Sequence, residues 1–437
     1  MKAIINARIY DYVQYIENGY LIYDDKILEI GDMENFKDTG FDKIEDFKGD
    51  LLLPTFVCAH SHIYSIFARG LSLPFNPKTF QDILDQMWWK LDAQLDNKMT
   101  YYSGIAAGSE FLLNGVTTVI DHHASGEILG SLTSLRKAFF GPLKMRGIFC
   151  FETSDRYDVK KCIKENVSFA KKYPREGLFG MHASLSLSDR TLAQIAKAKD
   201  NMPIHIHVAE SEADEIDSLN KSGKLVMERL EDAGVLINES LIVHGVGLSD
   251  KELEIIERNR CYLVVNTTSN MNNAVGLPYV RNYLDHHIPV LVGNDGLNSN
   301  MASEYMNVLF SGHLRANSPT AIGVNDIRQM IRDAYDYVSK RLCINLGDFR
   351  KGYEADFMRV QYTPFTHLDE SNIMGHIVYG LFPNFKPKDV YTYGQKRVKD
   401  YKIASKSLEK QVLEARKYAD ELWTKLGGNT NGYFHKV

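Results

Sequence analysis

Histidines and carboxylates recur at short spacings in four places along this chain. The run Leu51–His62 ends in His60-Ser61-His62, and a later run reads His205-Ile206-His207-Val208-Ala209-Glu210. A third run contains His244, and a fourth ends Gly293-Asn294-Asp295-Gly296. Side chains two apart on a strand share a face, so His60 and His62 can reach one ion. With His207 and Asp295 they make three imidazoles and one carboxylate, a donor set that suits one divalent ion, zinc first or iron in a similar open site. A catalytic ion of that kind keeps a position for water and lowers its pKa to about 7. Glu210 and His244 stand outside the donor set. Glu210 can take a proton from the water and pass it to a leaving amine; His244 can hold the water or stabilise charge on the attacked carbon. Each residue taken singly has a plainer reading. A lone HxH is weak, a buried strand-end His or Asp is more often a hydrogen-bonded structural residue, and Glu210 could cap the helix that follows it. Their joint placement at the ends of four strands, in this order, is what favours a metal site.

Such side chains need a scaffold that presents strand ends together. From about residue 51, eight short apolar runs recur, each followed by a segment of helical period. They are Leu51–His62, Val116–His123, Arg146–Thr153, Leu178–Ser184, Pro203–Glu210, Ser240–Gly247, Cys261–Thr267 and Pro289–Gly296. Near-continuous apolar runs are the mark of parallel strands covered on both faces. Eight strand–helix units predict an α/β fold, a closed (β/α)8 barrel of the TIM type, whose active site lies at the C-terminal ends of the strands. The predicted boundaries are 1–52 for the first part of a small β-sandwich, 53–345 for the barrel and 346–404 for the rest of the sandwich. A C-terminal helix and tail follow over 405–437. The helix carries Leu408, Val412, Ala415, Tyr418, Ala419 and Leu422 at helical spacing.

Other strand-end polar residues are candidates for touching substrate: His122 and His123, Glu152 and Arg156, His182 and Asn270. A flat ring also needs an aromatic wall. Trp88 and Trp89 are adjacent on a helix and point two ways, so one belongs to the core and the other, Trp88, is the candidate. Arg69 reads as a brace for the loop after His62.

At 437 residues and 44% hydrophobic, the chain has material for a large core and a smaller second domain. Its net charge of −5, with no basic stripe, excludes nucleic acid as the natural partner. The apolar runs are strand-sized, far short of a membrane span, and nothing at the N-terminus resembles an export signal. Five scattered cysteines without a CxxC read as reduced, buried thiols in a cytoplasmic protein. The apolar surfaces of the C-terminal helix and the tryptophan helix point to a homodimer.

The segments "LLLPTFVCAHSHIYSIFARGL", "HIHVAE", "LIVHGVGL", "NTTSNMNNAVG" and "VGNDG" together resemble the amidohydrolase superfamily, in its order and over essentially the whole chain. The resemblance is to the single-metal branch of deaminases and chlorohydrolases acting on nitrogen heterocycles, and within it to SsnA-type aminohydrolases. It implies metal ligands at His60, His62, His207 and Asp295, a proton shuttle at Glu210, a second catalytic group at His244, and a supporting place for His205. The fourth run, "GMHASLS", lacks the lysine of two-metal members, which favours one ion. The usual Asn-Pro after the seventh strand is Asn266-Thr267 here, a loop difference. The implied reaction is hydrolytic deamination of a small purine-like heterocycle. Ring opening of a cyclic amide, or dechlorination, would use the same water chemistry with another leaving group. A catalytically silent binding protein on the same scaffold would lack part of this set, and all of it is present.

Overall fold

The computed structural model describes residues 1–427. All eight apolar runs contribute a buried barrel strand: β1 (Phe56–Ser61), β2 (Val116–His123), β3 (Arg146–Phe151), β4 (Phe179–Ala183), β5 (Ile204–Val208), β6 (Leu241–His244), β7 (Tyr262–Val265) and β8 (Val290–Val292). Neighbours are parallel within two ladders, β1–β2–β3 and β4 through β8. Isolated bridges link the ladders at both seams: Phe149 with Gly177 and Thr153 with Met181 on one side, Ser61 with Asp295 on the other. At the β8–β1 seam the Asn294 amide donates to the His60 carbonyl at 3.0 Å. Gly293 permits this approach, since a Cβ there would lie 2.7 Å from the His60 oxygen and 2.8 Å from its Cβ. Several of the helices between strands open on polar caps, as where Asp158 accepts from the Lys160 and Lys161 amides.

The first run corrects the expectation of one strand over Leu51–His62. Leu51–Pro54 pairs antiparallel with Phe357–Val360 in a separate sheet, and the barrel begins at Phe56. The handover at Thr55 is invisible in the sequence because both strands are buried on both faces.

Among the described residues that separate sheet has nine strands drawn from both ends of the chain. The expected sandwich is one continuous sheet curled over. Tyr23 lies on a strand three places from Phe357 in the sheet order, yet their rings are 5.0 Å apart, closer than a flat sheet allows. Its small core includes Ile4, Leu21, Phe47, Phe349 and Tyr391. A buried Arg146, at the start of β3, clamps this sheet to the barrel through Glu354 (2.6 Å) and Asp356.

The C-terminal helix Lys406–Lys425 packs on the helix Asn97–Leu113. Tyr418 stacks on Tyr102 at 4.3 Å, Ala415 and Leu422 are buried, and the Trp423 indole donates to the Phe67 carbonyl at 2.6 Å. The apolar face offered for dimerisation is therefore covered within the chain. Four cysteines are buried; Cys343, at the C-terminal cap of the helix Val324–Leu342, is exposed, against expectation. Among the described residues no helix is long and apolar enough to cross a membrane.

Candidate active site

At the C-terminal mouth of the barrel, ligand atoms of His60, His62, His207 and Asp295 lie within 4.8 Å of one another. Asp295 Oδ1 is 3.2 Å from Nε2 of both His60 and His62, and His62 Nε2 is 3.2 Å from His207 Nε2. A tetrahedral ion with bonds of about 2.0–2.1 Å sets its ligand atoms about 3.3 Å apart, so this donor set fits one ion. The remaining ring nitrogens are held. His62 Nδ1 donates to the His122 carbonyl (2.7 Å), His207 Nδ1 to the His182 carbonyl (2.9 Å), and His60 Nδ1 meets His205 Nε2 (2.8 Å). Asp295 Oδ2 accepts from the Ser269 hydroxyl at 2.5 Å. Proton affinity is uneven across the cluster: burial takes His60 and His207 well below the usual imidazole range. Burial opposes protonation of His62, yet the Asp295 hydrogen bond and nearby carboxylates raise it to about 9.

Backbone bends bring the proton-handling groups to the same place. On a straight strand Glu210 would face away from His207. Ala209 takes a left-handed turn (φ +47°), and Glu210 swings into the cavity. His244 (φ +74°) and Asp295 (φ +60°) are themselves left-handed at their strand ends, a conformation tolerated where the surroundings enforce it. Glu210 Oε2 lies 3.6 Å from His244 Nε2. Burial, then the negative charges of Asp295 and Asp214, push the Glu210 carboxyl well above the usual carboxylate range. Burial first, with the charge of His62, takes His244 down to about 4, so its ring is neutral at pH 7. Asn270 Nδ2 donates to His244 Nδ1 at 3.1 Å, which leaves the proton on Nε2. That buried Nε2 has no hydrogen-bond partner among the described residues.

A cavity of about 420 Å³ opens over these groups, within the range of small-molecule sites. Trp88, Trp89 and Phe80 form its apolar side. Its polar side is Arg156, bound to both oxygens of Asp92 (2.9 and 2.6 Å) and to Glu152 (2.8 Å), beside His182.

The model of the amidohydrolase family matches residues 51–397. The chain belongs to the amidohydrolase family. It is 28% identical over 397 residues to a 5-methylthioadenosine/S-adenosylhomocysteine deaminase of Thermococcus sibiricus, covering 84% of this chain and 90% of that one. A 5'-deoxyadenosine deaminase of Methanobrevibacter smithii is 26% identical, with 93% and 94% covered. In fold it is similar to a zinc-bound adenosine deaminase of Xanthomonas campestris (TM-score 0.80, 18% identity, 97% and 98% covered). It is similar also to a zinc complex of atrazine chlorohydrolase from Arthrobacter aurescens (TM-score 0.78, 19% identity, 96% and 100% covered).

Within this amidohydrolase barrel, Glu152, Arg156, His182 and Trp88 line the cavity, whereas His122, His123 and Asn270 lie behind its wall. His122 turns its Nε2 to the Met181 and His205 carbonyls (3.0 and 3.2 Å), His123 is buried near the Thr100 hydroxyl, and Asn270 braces His244. Arg69 pairs with Glu110 at 2.7 Å, as a brace. The tryptophans correct the two-way expectation. A π-helical turn over Leu84–Trp88 widens the helix, and both rings reach the cavity. Trp89 is the one beside His182, at 6.2 Å. Sequence reasoning missed Asp92 and Ser269. Asp92 sits at a helix end, where the strand-end rule does not look; Ser269 lay inside the "NTTSNMNNAVG" segment, beside the Asn270 that was singled out.

Proposed function

We propose that this protein is a single-metal aminohydrolase that deaminates an adenine-type ring, free or carried in a nucleoside. One observation carries the reading: a Glu210 carboxylate whose affinity for a proton is raised and an unpartnered His244 Nε2–H converge on the His60, His62, His207 and Asp295 donor set. Those four residues would hold the divalent ion, zinc by donor type, which supplies Lewis acidity and lowers the pKa of water to about 7. Glu210 takes the proton from water as its oxygen adds to the ring carbon bearing the amino group, then returns it to that nitrogen, and ammonia leaves. The His244 Nε2–H donates to the incoming oxygen as charge builds there. The tryptophan wall covers the flat ring, and the Asp92–Arg156–Glu152 network with His182 sets the polar side. The names of the deaminases it is similar to favour adenosine-type substrates over triazines.

The test is ammonia release from purines, their nucleosides, pyrimidines and triazines, with protein of measured metal content. Release from an adenine-type compound is expected, lost with a chelator and restored with metal. Glu210→Gln should keep its metal and lose about 10²–10⁴-fold in turnover. No ammonia from any compound while metal is bound would overturn deamination; chloride release or loss of ring absorbance would then identify the alternative hydrolysis. Full turnover by Glu210→Gln would remove Glu210 from its role.

A further inference from the structure

We propose that His205 and Cys150 are positioning residues for the metal centre, forming a one-way hydrogen-bond chain that fixes the ring and tautomer of His60. The proposal rests on the metal-site reading above. The three ligand histidines are not supported alike. Behind His62 and His207 stand backbone carbonyls, which can only accept, so each Nδ1 carries the proton and each Nε2 keeps its lone pair for the ion. Behind His60 stands another imidazole, His205, whose Nε2 at 2.8 Å is able to accept or donate. The polarity must be settled further along.

Cys150, on β3, settles it. Its Sγ lies 3.5 Å from His205 Nδ1 and 3.6 Å from the Asp121 carbonyl. The carbonyl accepts the thiol proton, which leaves a sulfur lone pair for the His205 Nδ1–H. His205 Nε2 is then an acceptor, His60 donates Nδ1–H to it, and the His60 Nε2 lone pair points at the site. Every proton is used once, and the chain ends on an obligatory acceptor. His60, His205 and Cys150 are all fully buried, so water does not substitute for a missing member. Gly180 packs against this strand where no side chain fits: a Cβ there would lie 2.3 Å from the Phe151 carbonyl oxygen and 3.0 Å from the thiol sulfur.

The experiment is zinc affinity by chelator competition, with thermal unfolding recorded alongside, for His205→Leu, His205→Gln, Cys150→Ala and Cys150→Ser. His205→Leu should bind zinc about 10–100-fold more weakly. His205→Gln, which offers an oxygen to His60 and an N–H to Cys150, should recover most of that loss. Cys150→Ser should resemble the unmodified protein, and Cys150→Ala should bind several-fold less tightly. In zinc-bound unmodified protein, 15N spectra should show His60 and His205 both protonated at Nδ1. Unchanged zinc affinity in His205→Leu, no rescue by Gln, or a His205 proton on Nε2 would each overturn the proposal. Failure of the unmodified protein to bind zinc would instead overturn the metal-site reading. If His205→Leu does not fold, the Cys150 pair and the spectra decide.

Discussion

A buried imidazole that stays neutral makes the fold sensitive to acid. His123 is fully buried, with the Thr100 hydroxyl 3.5 Å away and the rings of Tyr64 and Phe151 about it. Burial first, then the charge on His62, takes it down to about 3. The folded value lies below the unfolded one of about 6.5, so the unfolded chain binds more protons in acid. The stability this ring contributes is present above pH 6.5 and is lost as pH falls toward 3. Replacing it with an aromatic ring that cannot titrate removes the loss. His123→Phe should gain about 2 kcal/mol relative to the unmodified protein between pH 7 and pH 5, read from denaturant midpoints of both proteins at both pH values. A difference that does not change with pH would show that His123 titrates normally in the fold.

At the scale of elements, the bend at Ala209 decides whether Glu210 is catalytic or merely polar. Non-glycine residues in the left-handed region carry a cost of about 1–2 kcal/mol, and branched side chains fit there worst. Ala209→Gly should keep turnover and match or exceed the parent's stability by up to about 1 kcal/mol. Ala209→Val should lose stability and at least tenfold in kcat with metal still bound, measured by unfolding and by the ammonia assay. Equal kcat in Val and Ala forms would mean that the bend does not place Glu210. This φ angle also marks where the sequence stops being legible. Eight apolar runs could be read because parallel strands bury both faces. The donor set could be read because metal chemistry restricts residue type and the barrel restricts place. Glu210 could be named from its neighbours, but its direction depends on one torsion that alanine does not advertise. Both tryptophans face the cavity because of one π turn, again without a residue that demands it. His122 and His123 looked like site residues for a related reason. A strand end puts polar side chains near the mouth, and only the neighbouring carbonyls tell which of them turn behind the wall.

At the scale of the molecule, the barrel and the curled sheet are held by a buried charge cluster. Arg146 lies between Glu354 and Asp356, with its guanidinium 4.0 Å from the centre of the Tyr393 ring. Removing one member of a buried ion pair leaves the other charge without compensation. Arg146→Met should cost about 3–5 kcal/mol, and Arg146→Met with Glu354→Gln and Asp356→Asn should recover much of that. Thermal unfolding of the two variants is the measurement. A single variant that unfolds with the parent would show that the cluster does not join the two parts.

The seam between β8 and β1 has a consequence for how the protein is made. His60 and Asp295 touch, yet 235 residues separate them along the chain. A ribosome adding about 5–20 residues per second takes roughly 10–50 s to travel from one to the other. For most of that interval the nascent chain can offer an ion only His60 and His62; His207 follows 145 residues after His62, and the carboxylate comes last. The last ligand emerges with the strand that completes the ring, so filling the coordination sphere and closing the barrel become one event, late in synthesis.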